Sequence, residues 1–297
     1  MSASFASKGI WIDGAWRAAS DGIFDVINPA TGRIRARAPD ATRDDAMAAI
    51  DAAVAAQPAW AALPFNARAN LLLRVAQVLE ARKADFIAAL TSECGGWVRK
   101  SMFEIGYTPG VYRAAAAAAY LPSGESMPPD HMNTNLVERQ PLGVVSVISP
   151  LNAPLLLSCR GMGVALAVGN TIVLKPSEET PITGASMIAE ACEEAGMPPG
   201  VLNVVTCSRE NVSDVGDELV SNSDVKAVSF TGSTPAGRSI AGKAGSLLKS
   251  ACVELGGKDS LSVLDDADLD RAVKAARFGA FFHQGQICMF AEKIIVA

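Results

Sequence analysis

A glutamate and a cysteine, each within a short glycine-containing segment, are the residues of this sequence best suited to covalent chemistry. Glu254 lies in Val-Glu-Leu-Gly-Gly-Lys (253–258), and Cys288 lies in Gln-Gly-Gln-Ile-Cys (284–288). A cysteine thiolate can attack a carbonyl carbon, and a nearby carboxylate can then activate the water that releases the product. Taken singly, each has an ordinary explanation, since a lone cysteine is more often a structural thiol and a glutamate in such a turn is more often a cap or surface residue.

Asn152 is a third candidate, because its side-chain amide could donate to an oxyanion that develops on an attacked carbonyl. A turn asparagine that bonds its own backbone is the alternative. Lys175 and Glu178 follow an apolar run and could hold ribose hydroxyls, although a solvated ion pair is the commoner arrangement for such residues.

The segment Phe-Thr-Gly-Ser-Thr-Pro-Ala-Gly-Arg (230–238) has the composition of a phosphate-binding turn between a strand and a helix. Glycine allows the backbone to approach an anion closely, and the amides at a helix N-terminus favour phosphate. The segment lacks the Gly-x-Gly-x-x-Gly pattern, and a strand–helix turn of this kind is usually structural when it occurs alone.

Short apolar runs alternate with helical patterns after Gly143, which predicts an α/β fold with a parallel sheet. The predicted strands are Val144–Ser149, Thr171–Lys175, Leu202–Val205, Ala227–Thr231 and Ser250–Glu254. The predicted helices are Leu155–Ala167, Thr183–Ala195, Val212–Ser221, Gly237–Ala244 and Leu269–Phe282. Ligands bind beyond the carboxyl ends of such strands, and the polar segments 149–152, 175–178 and 231–233 all lie there.

The first part of the chain predicts the elements that flank this sheet. Residues 10–39 contain several turn signals and predict short strands, and Thr42 is a candidate helix N-cap. Helices are expected over Asn66–Lys83 and Arg113–Tyr120. The polar segment 133–140 predicts an exposed hairpin strand that pairs with another element or another subunit.

Composition excludes several classes of protein. The 297 residues are 49% hydrophobic and 19% charged, which is typical of a soluble globular protein of one or two domains. The net charge of −5 is spread along the chain without a basic stripe, so nucleic acid is not an expected partner. Six cysteines without Cys-x-x-Cys spacing and two histidines suggest neither a metal site nor disulfides, and they fit a reducing cytoplasm.

We expect no leader peptide and no membrane span. Residues 1–8 lack the apolar segment of a signal peptide. The uncharged stretch 141–159 has the length of a span, but Pro150, Asn152 and Pro154 interrupt its centre, which is costly in lipid. A buried strand followed by a turn is the better interpretation.

Together these segments resemble the aldehyde dehydrogenase superfamily, and the matching motifs follow the family's order across nearly the whole chain. They are Ile-Asp-Gly-Ala-Trp (12–16), Asn-Pro-Ala-Thr-Gly (28–32), Val-Leu-Lys-Pro-Ser-Glu (173–178), Pro-Pro-Gly-Val-Leu-Asn-Val-Val (198–205), Phe-Thr-Gly-Ser-Thr (230–234), Glu-Leu-Gly-Gly-Lys (254–258) and Gly-Gln-Ile-Cys (285–288). The resemblance implies that Cys288 forms a thiohemiacetal with a small aldehyde, whose oxyanion is held by Asn152 and the Cys288 N–H. Glu254 would activate the water that hydrolyses the resulting thioester.

The resemblance also implies a dinucleotide cofactor. Lys175 and Glu178 would bind the ribose on the adenine side, and Gly232 and Ser233 would lie near the pyrophosphate. NAD is favoured over NADP, because the carboxylate of Glu178 would repel the additional phosphate. The remaining cofactor-binding positions are Ser149, Pro150, Gly216 and Leu255.

Residues 1–256 are expected to form a Rossmann-like NAD-binding domain with a hairpin near 124–143, and residues 257–297 the start of an incomplete α/β catalytic domain. Details such as Asn-Ala-Pro-Leu-Leu-Leu (152–157) resemble the branch that acts on aromatic aldehydes. In the family the catalytic domain continues far beyond the nucleophile, so we expect a C-terminally truncated chain. Full-length relatives are homo-oligomeric, and two alternatives stay open for this chain. It is either an enzyme sequence that acts in a longer or complemented form, or an inactive dinucleotide-binding fragment.

Overall fold

A computed structural model describes residues 8–128 and 133–297 of the chain. Residues 1–7 lie outside the described residues, and they make up most of the segment 1–8 in which no signal peptide was expected. Residues 129–132, within the predicted hairpin, also lie outside them.

The described residues before Gly143 form short strands and long helices. In chain order they are β1 (Ile10–Ile12), β2 (Ala15–Arg17), β3 (Ile23–Ile27), β4 (Ile34–Pro39), α1 (Arg43–Ala62), α2 (Phe65–Ala81), α3 (Lys83–Glu93), α4 (Val98–Ala118), β5 (Gly124–Met127) and β6 (Asn135–Glu138). Thr42 precedes α1 as predicted, and its backbone N–H donates to the carboxylate of Asp45 at 2.9 Å. This bond belongs to a capping box, which satisfies amides that a helix N-terminus otherwise leaves free.

The residues after Gly143 alternate strands with helices. They are β7 (Val144–Ile148), α5 (Pro154–Ala167), β8 (Thr171–Lys175), α6 (Met187–Glu194), β9 (Leu202–Val204), α7 (Val212–Ser221), β10 (Val225–Thr231), α8 (Thr234–Ser246), β11 (Ser250–Glu254), β12 (Asp259–Val263), α9 (Leu269–Phe281) and β13 (Ala291–Val296). A π-helical turn, Ile182–Ser186, precedes α6, and a short 3-10 turn, Phe282–Gly285, follows α9.

A seven-stranded sheet with the order β11-β10-β7-β8-β9-β1-β2 forms the centre of the fold. Strands β7 to β11 are parallel, whereas β1 and β2 add an antiparallel edge. The chain moves from β7 through β8 to β9 on one side, and β10 and β11 lie on the other side of β7. The strand order therefore reverses at β7, which is the place where open α/β sheets bind ligands.

The sheet is buried on both faces, which explains the continuous apolar runs in β7 and β8. Val145 and Val147 belong to the core on one face with α2, α4, α5 and α6. Val144 and Ile148 belong to the core on the other face with α1 and α7. This alternation follows from the two-residue period of a strand. On the first face, a Cβ on Gly161 of α5 would lie 2.7 Å from Val147, so glycine permits the close approach of helix and strand.

The structure confirms the predicted α/β class and the predicted parallel strands, with Thr171–Lys175 and Ser250–Glu254 at the predicted bounds. The predicted helix Arg113–Tyr120 was wrong in extent, because it is the last part of α4. Helix α3 and strand β12 were not predicted. The short strands expected within residues 10–39 are present as β1 to β4, and β1 joins the main sheet beside β9 through the pair Trp11–Val204.

The stretch 141–159 forms β7, a turn and the start of α5, as predicted. No single helix among residues 8–128 and 133–297 is long and apolar enough to cross a membrane. Helices α1 and α2 reach that length and apolarity only together. They are bent by 118° at their junction, and their apolar residues pack into the two cores.

A separate two-stranded parallel sheet, β12 with β13, follows the main sheet. The terminal strand β13 is thus paired with the preceding strand β12. The assignment of this sheet to a second domain that begins at residue 257 stays a prediction.

Candidate active site

The register of the parallel strands brings the predicted polar segments to one edge of the sheet. Ile148 at the end of β7 pairs with Lys175 at the end of β8, and Thr231 at the end of β10 pairs with Glu254 at the end of β11. Phe230 pairs with Ile148 and joins the two halves. The loops that follow these four strands therefore surround a common space.

That space is a cleft of about 580 Å³, lined by nearly all the residues predicted to carry function. They are Ser149, Pro150, Asn152, Lys175, Glu178, Gly232, Ser233, Glu254, Leu255 and Cys288. Gly216, on α7, does not line this cleft. It lines an adjoining cavity of about 290 Å³ that shares Ile148, Lys175 and Phe230 with the cleft.

A second cavity, of about 420 Å³, meets the cleft at the three candidate catalytic residues. Asn152, Glu254 and Cys288 line both spaces, whereas the rest of the second wall is largely apolar. The apolar contributors include Phe103, Leu156, Phe282, Ile287 and Met289. Because Cys288 lines both spaces, a molecule in the cavity and a ligand in the cleft would each lie near the thiol. Sequence patterns alone missed this aromatic wall, because Phe103 of α4 and Phe282 after α9 are brought together only by the tertiary fold.

The thiol of Cys288 is more accessible to solvent than those of most other cysteines in the chain. It is half-buried, whereas Cys94, Cys159, Cys192 and Cys207 are buried. Burial raises the pKa of Cys192 to about 12 and that of Cys207 to about 11, so these groups remain thiols at neutral pH. Cys252 is exposed on β11 but is absent from the described linings of the two cavities.

Asn152 is tied to the segment that carries Cys288. Its Nδ2 donates to the carbonyl oxygen of Gln286 at 2.8 Å, and its Oδ1 accepts the backbone N–H of Ala153 at 2.9 Å. The second bond is the local one expected of a turn asparagine, and the first spans the site. The Asn152 amide thus holds the Gln286 carbonyl two residues before the thiol, and its expected role toward an oxyanion stays a prediction.

The opposite end of the cleft presents Lys175 and Glu178. Lys175 is buried, and its Nζ donates to the carbonyl oxygen of Pro176 at 3.0 Å. Glu178 pairs instead with Arg209, at 3.2 Å, and Arg209 also contacts Glu179 at 3.1 Å. In the described part of the chain, Lys175 and Glu178 therefore do not form the ion pair that was the alternative interpretation. The sequence analysis missed Arg209, although it follows the end of β9 in the same way that the other polar site residues follow the ends of parallel strands.

Between these two ends lies the N-terminus of α8. Ser233 is its N-cap, and the Ser233 Oγ accepts the backbone N–H of Ala236 at 3.4 Å. The N–H of Gly232 donates to the Glu254 carbonyl at 3.1 Å, which joins this turn to the end of β11. The N-terminus of α8 therefore borders a cleft that is also lined by a lysine, which donates, and a carboxylate, which accepts, an arrangement suited to an elongated ligand with a central phosphate. Among the described residues, no group of three or more His, Cys, Asp or Glu is placed to hold a metal ion.

The model of the aldehyde dehydrogenase family matches residues 16–297. Benzaldehyde dehydrogenase (NAD(+)) of Pseudomonas putida is 42% identical over 284 residues, which cover 95% of this chain and 57% of the relative. Vanillin dehydrogenase of Amycolatopsis sp. is 43% identical over 283 residues, with the same two coverages of 95% and 57%.

The crystal structure of a salicylaldehyde dehydrogenase from Pseudomonas putida G7, complexed with salicylaldehyde, superposes with a TM-score of 0.94 at 38% identity. The match covers 97% of this chain and 60% of that one. The chain thus spans about three fifths of the length of these relatives. With a family match over nearly its whole length, the chain belongs to the aldehyde dehydrogenase family.

Proposed function

We propose that this chain carries the dinucleotide site and the nucleophile of an NAD-dependent dehydrogenase that oxidises an aromatic aldehyde to its carboxylic acid. One observation carries the proposal: Asn152, Glu254 and Cys288 line both the polar cleft and the apolar cavity. A residue at such a junction can react with a substrate on one side while a cofactor lies on the other.

The cleft fits NAD through its donor set. The N-terminus of α8 would hold the pyrophosphate, and Lys175 and Glu178 would hold the ribose on the adenine side. NAD, when bound, supplies the acceptor for the hydride that leaves the substrate carbon. The proposal favours NAD because Glu178 is a carboxylate, and the benzaldehyde relative is itself named for NAD(+).

The chain's own residues then divide the chemistry. The Cys288 sulfur attacks the aldehyde carbon and forms a thiohemiacetal, and the Cys288 N–H and the Asn152 amide stabilise the oxygen that becomes negative. After oxidation the acyl group is a thioester on Cys288. Glu254 takes a proton from water, and the water attacks the thioester, which releases the acid and returns the thiol. Asn152 must exchange its bond to the Gln286 carbonyl for one to the substrate oxygen.

An aromatic substrate is supported by the wall of the apolar cavity. Phe103 and Phe282 lie with their ring centroids 5.6 Å apart in an edge-on arrangement, and both line the cavity, so a substrate ring there would meet aromatic side chains. The relatives named above are called benzaldehyde, vanillin and salicylaldehyde dehydrogenases, and these names describe aromatic aldehydes.

A second candidate function is dinucleotide binding without turnover. It is favoured by the exposure around the nucleophile, since Met289, which follows Cys288, is 74% exposed and Glu254 is exposed. Hydride transfer needs a fixed and water-excluded geometry, so an open cavity supports binding better than catalysis.

Both functions are tested with the purified 297-residue chain, by itself and as part of a longer or complemented form, together with benzaldehyde and NAD. Calorimetry measures dinucleotide binding, absorbance at the NADH band measures oxidation, and mass spectrometry of the Cys288 peptide detects a bound benzoyl group. The first proposal expects NADH formation that Cys288→Ser abolishes and that Glu254→Gln slows by about 10²–10⁴-fold while the benzoyl group accumulates. Cys252→Ser is the matched control and should retain full activity. NAD binding with neither NADH nor a benzoyl adduct would favour the second candidate.

A further inference from the structure

A cluster of buried polar side chains lies against the candidate active site, and the reaction proposed above does not use it. Cys94, Lys100, Glu104 and His283, here called the Cys94 cluster, are each at most 7% exposed. The Nζ of Lys100 donates to the Cys94 Sγ at 3.3 Å and to the Glu104 carboxylate at 2.5 Å. The other carboxylate oxygen of Glu104 accepts the backbone N–H of Leu156 at 3.1 Å. The cluster thus fastens α4 to the start of α5.

The cluster joins the two chain segments that form the nucleophile's surroundings. The Cys94 Sγ lies 3.3 Å from the carbonyl oxygen of Leu151 and 3.6 Å from that of Asn152. The same sulfur lies 3.5 Å from Nε2 of His283, which precedes Cys288 by one short turn. One sulfur atom therefore contacts both the turn that carries Asn152 and the segment that carries Cys288.

A single proton arrangement satisfies these contacts. Burial raises the pKa of the Cys94 thiol, and burial together with Lys100 lowers the pKa of His283 to about 4, so both groups are neutral at neutral pH. The S–H donates to the Leu151 carbonyl, and the sulfur accepts from Lys100. Nδ1 of His283 has no partner among the described residues. A buried N–H without an acceptor is rarer than a free lone pair, so we assign the proton to Nε2, which donates to the Cys94 sulfur.

The backbone of the His283 segment needs such an anchor. His283 and Gln284 have φ angles of +53° and +54°, and Gly285 has +77°. Side-chain-bearing residues adopt this left-handed region only when the surroundings determine it. Gln284 adds a bond from its Nε2 to the Gly95 carbonyl at 3.4 Å, so both strained residues are held by the segment that begins at Cys94.

We propose that His283 is a positioning residue whose imidazole, bonded to Cys94, holds the segment that carries Cys288 in register with the turn that carries Asn152. His283 is fully buried and is absent from the described linings of both the cleft and the apolar cavity, so it acts through the backbone and not on the substrate. The inference rests on the proposed function only in taking Cys288 as the nucleophile.

The test measures how readily Cys288 reacts in the full chain without NAD or aldehyde. Iodoacetamide alkylation is followed peptide by peptide at neutral pH, with the exposed Cys252 as the internal reference. His283→Phe keeps a planar ring but removes the donor, so the released segment should expose Cys288 and raise its alkylation rate on the order of fivefold. His283→Gln restores an N–H at a similar reach and should return the rate to within about twofold of wild type. Equal Cys288 rates in wild type and His283→Phe, or a failure of His283→Gln to rescue, would overturn the proposal.

Cys94→Ala and Cys192→Ala form a matched pair that decides the question if His283→Phe does not fold. Both remove a buried thiol, but Cys192 lies in α6, away from the Cys94 cluster. Only Cys94→Ala should accelerate Cys288 alkylation. Where His283→Phe folds, adding it to Cys94→Ala should give no further increase. Equal effects of the two alanine variants, or additive effects in the double variant, contradict positioning through Cys94. Alkylation of Cys288 does not depend on turnover. The positioning role of His283 can therefore be supported when no NADH is formed, and it can fail when NADH is formed.

Discussion

Gly237 and Gly242, both within α8, allow a paired test of how the cleft keeps its width. A Cβ built on Gly237 would lie 2.2 Å from Cδ2 of Leu255, whereas a Cβ on Gly242 would meet no described atom within 4 Å apart from its chain neighbours and the nearby backbone of its own helix. Carbon atoms in contact are normally about 3.5–4.0 Å apart. The substitution Gly237→Ala therefore requires Leu255 to move by more than about 1 Å, and Leu255 lines the cleft between α8 and Glu254.

The magnitudes follow from two opposing effects. Replacing glycine by alanine inside a helix stabilises it by about 1 kcal/mol, and this gain should appear alone in Gly242→Ala. In Gly237→Ala the displaced Leu255 adds an overpacking cost of about 1–3 kcal/mol, so the free energy of unfolding should be about 1–3 kcal/mol lower than in Gly242→Ala. Displacement of Leu255 into the cleft should also weaken NAD binding on the order of tenfold, which corresponds to about 1.4 kcal/mol.

Urea unfolding measures the first difference, and titration calorimetry with NAD measures the second. Gly242→Ala should bind NAD as wild type does. If both variants have the same unfolding free energy and the same NAD affinity, then Leu255 does not form the wall of the dinucleotide site and the reasoning is refuted.

Three further predictions concern buried and charged groups. Burial raises the pKa of Glu93 to about 7 despite the hydrogen bonds that it accepts from Thr183, so the carboxyl group binds a proton more tightly in the folded protein than in the unfolded chain. The free energy of unfolding of the wild type should therefore fall by about 3 kcal/mol as pH rises from 4.5 through 7. This pH dependence should vanish in Glu93→Gln. Burial and the neighbouring Lys100 lower the pKa of His283 from 6.5 to about 4, so the pH dependence has the opposite sign. The contribution of His283 to the free energy of unfolding is present above pH 6.5 and is lost as pH falls through 4. Urea unfolding of His283→Gln should not show this loss. Each pH dependence is measured as the unfolding free energy of the variant minus that of the wild type, because the contributions of Glu93 and His283 have opposite signs between pH 4 and 7. Arg209→Ala leaves Glu178 without its ion pair, so the ratio of NADP to NAD dissociation constants should rise up to about fivefold; an unchanged ratio would show that Arg209 does not influence cofactor choice.

Local patterns predicted the strands of the main sheet well. Buried parallel strands are continuous apolar runs bounded by turn residues, so Thr171–Lys175 and Ser250–Glu254 could be read directly from the sequence. Helix α4 could not, because Gly106, Pro109 and Gly110 interrupt its pattern and its stability comes from packing against α2 and α5. The partner of the last strand was also hidden, since β12 and β13 pair across an intervening helix.

By itself, the sequence determined which residues can do chemistry and which family's motifs surround them. Residue type and neighbouring glycines are local properties, so Glu254 and Cys288 could be identified without coordinates. Only the tertiary structure decided what these residues contact. The Asn152 amide bonds a carbonyl 134 positions away, and Cys94 reaches His283 across 189 positions. Such contacts follow from the register of the strands and the packing of α4 on α5, and no short-range pattern records them.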